Sequence, residues 1–138
     1  MATKLAASIK DTIYNGTHGN LSVALGSLPK EASAANDVIQ LLKLDAGVKL
    51  VDFAIVVKAA ATSSTAKYQV QIVPQGKTAV DVGGQLTLAT TGEEVKADGW
   101  FPEELYDVPC TVQVVVKGAT KAGDVHHFKA YTTSVGSL

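Results

Sequence analysis

Period-two alternation of apolar and polar side chains, repeated along most of the chain, is the feature that most constrains its fold. Leu21, Val23 and Leu25 alternate with Ser and Ala. Val51, Phe53, Ile55 and Val57 share one parity of a longer segment that begins near Val48. Tyr68, Val70 and Ile72 alternate with Gln69 and Gln71, Leu86 and Leu88 flank Thr87, and Val112, Val114 and Val116 alternate with Gln113 and Val115. Residues 125–133 make a last run of the same kind. Successive side chains of an extended strand point to opposite faces, so each run predicts a half-buried strand with its apolar set against a core. The residue stock agrees: eighteen Val and thirteen Thr favour a pleated surface. Val38-Ile39-Gln40-Leu41-Leu42 is apolar on both parities, which fits a central strand or one covered on its outer side. The 138 residues make one domain, long enough to bury about two-thirds of the unfolded surface without disulfide or metal staples. The expectation is an all-β sandwich of about eight strands.

Turn chemistry divides these runs. Asp45-Ala46-Gly47 predicts a tight hairpin turn between two apolar runs. For Gly83-Gly84, pairing Val82 with Leu86 keeps the apolar parity on one face, which predicts a three-residue hairpin loop, residues 83–85, with a glycine in the left-handed region. Residues 118–123 are expected to close a last hairpin. Two segments stand outside the sandwich. Residues 1–19 read as an N-terminal arm before a domain at 20–138. In it Leu5, Ile9 and Ile13 recur at i, i+4, i+8, the spacing of a short amphipathic helix, beside Tyr14. Such an arm either packs back on its own domain or reaches a neighbour. Residues 91–109 read as a long loop, or as a loop with one helical turn at Pro102-Glu103-Glu104-Leu105. Its adjacent Trp100 and Phe101 are either a lid over the core or an anchor in an interface.

Charge and motif content narrow the function. All twelve basic residues are Lys, thirteen acids offset them, and Arg is absent. Nucleic-acid binders carry a basic surplus and use Arg for bidentate contacts, so no nucleic-acid partner is expected. The longest strongly apolar run, residues 53–57, is far short of the roughly 20 residues of a membrane span. The first residues lack the apolar core of a secretory signal, so a soluble, cytosol-made chain with no membrane partner is expected. Cys110 is the single cysteine and reads as a buried thiol opening a strand. His126 and His127 are adjacent on a strand and point to opposite faces, so they cannot share a metal. The acids at 93, 94, 98, 103, 104 and 107 read as a solvated loop, without the ligand spacing of a calcium loop. No cofactor, metal or catalytic constellation is expected, and a small enzyme using the acidic loop ranks last.

The stretch Asn-Asp-Val-Ile-Gln-Leu-Leu-Lys-Leu-Asp-Ala-Gly-Val-Lys-Leu-Val-Asp at 36–52 resembles a pattern of small tailed-bacteriophage virion proteins, in which an apolar strand, an Asp-Ala-Gly turn and a strand ending in Val-Asp recur. The Val-rich strand, Gly/Thr loop and final strand at 112–133 are similar as well. The resemblance implies a jelly-roll capsid decoration, or cement, protein. Such a protein has no enzymatic activity and binds at junctions between subunits of the major capsid protein. It would be made in the host cytoplasm, carried on the capsid surface of the virion, and would form a homo-oligomer, a dimer or trimer. Leu5, Ile9, Ile13, Tyr14, Trp100 and Phe101 are then the interface candidates, and deleting residues 1–15 is expected to weaken assembly while leaving the domain folded. The 18% charged residues leave few solvated faces, which suits an oligomeric or particle-bound chain. The competing expectation is a carbohydrate- or receptor-binding β-sandwich with Trp100, Phe101 and Tyr106 as a stacking platform.

Overall fold

A computed structural model describes residues 2–10, 21–29, 32–102 and 106–134. The described residues hold strands β1 (Thr3–Leu5), β2 (Leu21–Ser27), β3 (Val38–Leu44), β4 (Val48–Ala59), β5 (Lys67–Pro74), β6 (Val80–Thr87), β7 (Glu94–Lys96), β8 (Cys110–Gly118) and β9 (Val125–Ser134); the alternating runs supply all but β1 and β7, which lie in segments read as helix and loop. They form two sheets, ordered β1-β3-β8-β5-β6 and β2-β9-β4-β7. Setting aside β1, which pairs parallel with β3, the arrangement is two facing four-stranded sheets. Among β2 to β9, β5 and β6 are the one pair of consecutive strands that share a sheet. That is the jelly-roll topology, in which the chain crosses repeatedly between sheets.

The crossing corrects two predicted hairpins. At Asp45-Ala46-Gly47 the turn is tight, with Val48 N donating to Asp45 O at 3.1 Å and Gly47 at φ 87°. It nevertheless carries the chain from β3 in one sheet to β4 in the other. The segment at 118–123 likewise links β8 and β9 across the sandwich. A short turn between two runs whose apolar sides must meet permits either pairing within a sheet or stacking of two sheets. Local pattern does not choose between them.

The third hairpin becomes a bulge. Val70 pairs with Val82 and Tyr68 with Leu86, so Gln69 alone faces residues 83–85 on one continuous β6. Gln69 fills the irregularity, its Nε2 donating to Gly83 O at 3.0 Å and Val70 O at 3.1 Å. Gly83 does take the left-handed region, at φ 67°, and a Cβ there would collide with the Asp98 carbonyl. A second bulge explains the doubly apolar β3. The register shifts between Gln40 and Leu42, so Leu41 and Leu42 are both buried.

The core lies between the sheets. Phe53 and Phe128 stack there with ring centroids 5.8 Å apart, surrounded by Leu42, Ile55, Val57, Val70, Val112 and Val114. Residues 2–10 do not form the expected helix. They give β1 and a short 3-10 turn, Ala7–Lys10. Ala6 and Ser8, not Leu5, are the buried residues of this stretch. Asp37 clamps its start by accepting from Ala2 N at 3.0 Å and Ala34 N at 3.1 Å, with Lys4 Nζ at 3.8 Å. Those backbone N–H groups, with the Lys4 charge, hold the Asp37 carboxyl below its usual range.

Candidate functional site

Among the described residues, side chains able to carry chemistry are dispersed or committed to structure. Asp124 accepts from Ala61 N and Lys121 N, both at 2.8 Å, and from Ser64 Oγ at 3.0 Å, tying the β4–β5 and β8–β9 connections together. His126 is buried with its ring edge-on to Tyr68, and neither ring nitrogen has a hydrogen-bond partner among the described residues. Burial pushes its pKa down; Asp124 opposes the shift and His127 adds to it. His127 faces outward, its Nδ1 2.7 Å from Ser27 Oγ. Cys110 opens β8 as a buried thiol, pushed up by desolvation. The acidic segment holds the unexpected short β7, whose Glu94 pairs with Lys129 at 3.1 Å, while Glu93, Asp98 and Asp107 are exposed. Among the described residues no three His, Cys, Asp or Glu side chains gather as a metal site would require.

Surface apolarity is better organised than surface chemistry. Trp100 lies half-buried against the core, and its indole N–H donates to the Ala97 carbonyl. It is a lid. Phe101, next to it, is 77% exposed and lies at the mouth of a cleft of about 150 Å³ lined by Leu50, Ile72, Val82, Trp100 and Tyr106. That volume is well below the roughly 300–1,000 Å³ of small-molecule sites. With Trp100 packed down and Tyr106 partly buried against the core, the three aromatics do not present a shared stacking platform.

The structure places the other candidates separately. Leu5 is exposed on β1, where it pairs with Gln40 and lies at the margin of the five-stranded sheet. Ile9 is half-buried in the 3-10 turn. Ile13 and Tyr14, like Glu103, Glu104 and Leu105, lie outside the described residues. Leu5 and Phe101 therefore remain as exposed apolar side chains on different parts of the sandwich.

Among the described residues, the longest exposed apolar stripe was not among the candidates. Leu21, Val23 and Leu25 of β2 are 63%, 51% and 66% exposed. Alternation predicts them facing the core, yet Ser22, Ala24 and Gly26 take the inner side. The reason is steric: a Cβ on Gly26 would lie 2.6 Å from Phe128 Cε1 and 3.0 Å from Ser8 Cβ. The signal was present in the sequence as a strand whose second parity holds only Ser, Ala and Gly.

No family model and no curated protein matches the chain. Solved structures do. A chain in the capsid of Ralstonia phage GP4 superposes with a TM-score of 0.72 at 20% identity, covering 97% of both chains. Another, in the acid-stable capsid of Helicobacter pylori bacteriophage KHP30, gives 0.55 at 14% identity, covering 92% of this chain and 95% of that one. The protein thus shares its fold, over nearly its whole length, with chains found in phage capsids.

Proposed function

We propose that this protein is a non-enzymatic structural component of a tailed-phage virion, a decoration protein seated on the outer surface at junctions between major capsid subunits. The observation that carries the reading is the full-length match to chains of phage capsids, 97% of both partners in one case. An isolated domain shared with a larger protein would leave part of that chain uncovered. The exposed side chains support it: Leu5, Leu21, Val23, Leu25 and Phe101 are large apolar groups on a single small sandwich, more than a free monomer needs and what shell neighbours would cover. Binding of this kind needs apolar burial and many copies, with no chemistry.

The test uses phage heads assembled without this protein. Purified protein added to them is expected to bind at saturable stoichiometry and raise their resistance to heat, with Phe101→Ser and Leu5→Ser each lowering occupancy. Absence of the chain from purified virions, or no uptake by heads that lack it, would sink the reading.

A further inference from the structure

Among the described residues, strand β2 is an outer edge of the four-stranded sheet, and its seven residues, Leu-Ser-Val-Ala-Leu-Gly-Ser, carry no charge. Natural edge strands are blunted by shortness, by Lys or Pro, or by bulges. The other edges of this sandwich follow that practice. β1 and β7 have three residues each, and β6 has Asp81 and the bulge at 83–85. β2 has no such device, and it turns Leu21, Val23 and Leu25 to solvent. Rotating the strand to hide them is blocked, because the inner side has no room for even a Cβ at Gly26.

The ladder shows which backbone groups face the open edge. Leu28 N donates to His126 O at 3.0 Å, directly beyond the pairing of Ser27 with His127. In an antiparallel ladder alternate residues bond to the same neighbour, so Gly26, Ala24 and Ser22 complete the bonds to β9. The N–H and C=O groups of Leu21, Val23 and Leu25 then point away from β9. Among the described residues, those with bulky outward side chains also offer backbone that no other strand pairs.

We infer that this edge is a two-fold interface that receives β2 of a second copy of the chain. The outward pattern Leu21, Val23, Leu25 is palindromic. An antiparallel pair centred on Val23 sets Val23 against Val23 and each Leu21 against Leu25 of the other copy. A two-fold contact requires such self-complementarity, whereas an unrelated partner strand does not. Charges also fit. Leu25 is paired on its other side with Lys129, and Leu21 with Thr133, so the outer rows run Lys129, Leu25, Leu21, Thr133 across the axis. Each Lys129 faces a threonine of the other copy at the far end of its row, and Glu94 holds it at 3.1 Å. The central row is Tyr131, Val23, Val23, Tyr131, without charge. The two sheets become one of eight strands, and the most exposed edge of each copy disappears. This contact deepens the virion reading and rests on it for its setting; a seven-residue edge is short, so the pair is weak in solution and reinforced when many copies share a shell.

Sedimentation equilibrium of the full-length protein over a concentration series tests it, together with Val23→Lys and Val23→Cys. The mass is expected to rise from one chain toward two, and Val23→Lys to stay at one chain with its melting temperature unchanged. Oxidised Val23→Cys is expected to give a disulfide-linked dimer, since a hydrogen-bonded antiparallel pair sets its Cα atoms about 5.5 Å apart, within disulfide span. Cys110 is the only native cysteine and is buried, so the cross-link is unambiguous. Leu21→Cys, facing Leu25, is expected to cross-link far less. A single-chain mass throughout with no Val23→Cys cross-link, or a dimer that Val23→Lys leaves intact, overturns the proposal. If that single-chain protein still occupies phage heads, the two-fold edge falls and the virion reading stands.

Discussion

Strands β9 and β2 lie side by side in the same sheet, alternate in the same way, and place their bulk on opposite sides. β9 turns Phe128, Ala130 and Thr132 inward and leaves Lys129, Tyr131 and Thr133 partly exposed. β2 turns Ala24 and Gly26 inward and Leu21, Val23 and Leu25 outward. The two choices are one packing solution. Phe128 needs the space above Gly26, so β9 supplies the core volume and β2 supplies a thin wall. Alternation tells which residues share a face. It does not tell which face a neighbour leaves room for.

Four measurements break or sharpen this contrast. Phe128→Ala removes the ring that stacks on Phe53 and fills the space under β2; it is expected to cost about 4 kcal/mol in denaturant unfolding. Gly26→Val attacks the same contact from the other strand. Its methyl groups would have to enter space already closed to a Cβ, so a loss of about 2–3 kcal/mol is expected. Less than 0.5 kcal/mol in Gly26→Val would mean that β2 can lift away from Phe128.

The third measurement concerns pH on the inner face of β9. His126 is buried beside Tyr68, with Asp124 favouring its protonation and His127 opposing it, and its folded-state pKa lies below 6.5. Between those two values the unfolded chain binds more protons than the folded one. Stability is therefore unaffected above 6.5 and falls as pH drops below it, by at most about 1.4 kcal/mol per pH unit, until the folded value is reached. His126→Phe is expected to flatten that slope between neutral pH and pH 5 in unfolding titrations. An unchanged slope would place the acid sensitivity elsewhere. The smallest effect belongs to the outer face of β2: Leu25→Ser is expected to change monomer stability by less than about 0.5 kcal/mol, while weakening self-association. A large loss there would show that Leu25 is covered within its own chain.

Much of the fold was legible in the sequence. The segments around Val38, Phe53, Val70, Val112 and Phe128 all became strands, and His126 and His127 divided between inside and outside as adjacent strand residues must. The turns were legible as turns but not as connections. Asp45-Ala46-Gly47 made the sharp reversal that its composition demands, but β3 left it for a different sheet from β4. At 83–85 the glycine conformation was foreseeable and the bulge was not: there Gly83 lies against the carbonyl of Asp98, fifteen residues away, a contact that local pattern does not carry. The candidate site was legible only in part. Trp100 and Phe101 stood out as aromatics in a loop, and the structure separated them into a lid held by the Ala97 carbonyl and an exposed ring. The β2 stripe was missed because an apolar parity was equated with a buried one. Residues 2–10 were read at helical spacing, whereas pairing with β3 and burial of Ala6 override a weak local preference. Their removal in a 1–15 truncation therefore also takes away packing, beyond any partner contact.

By itself the sequence determined that most of the chain is built of strands, which side chains share a face wherever no bulge intervenes, and that charge is scarce on those faces; at the bulge between Leu50 and Asp52 it is Leu50, not Val51, that joins Phe53 in the core. These follow from backbone geometry, which acts over one or two residues. Sheet membership, the bulges, and the outward turn of Leu21, Val23 and Leu25 were decided only in the tertiary structure. Jelly-roll pairing joins strands far apart in the chain, β2 to β9 and β3 to β8, and a strand's parity is indifferent to which side its distant partner fills. Phe128 occupies the inner side against β2, and the apolar stripe faces out.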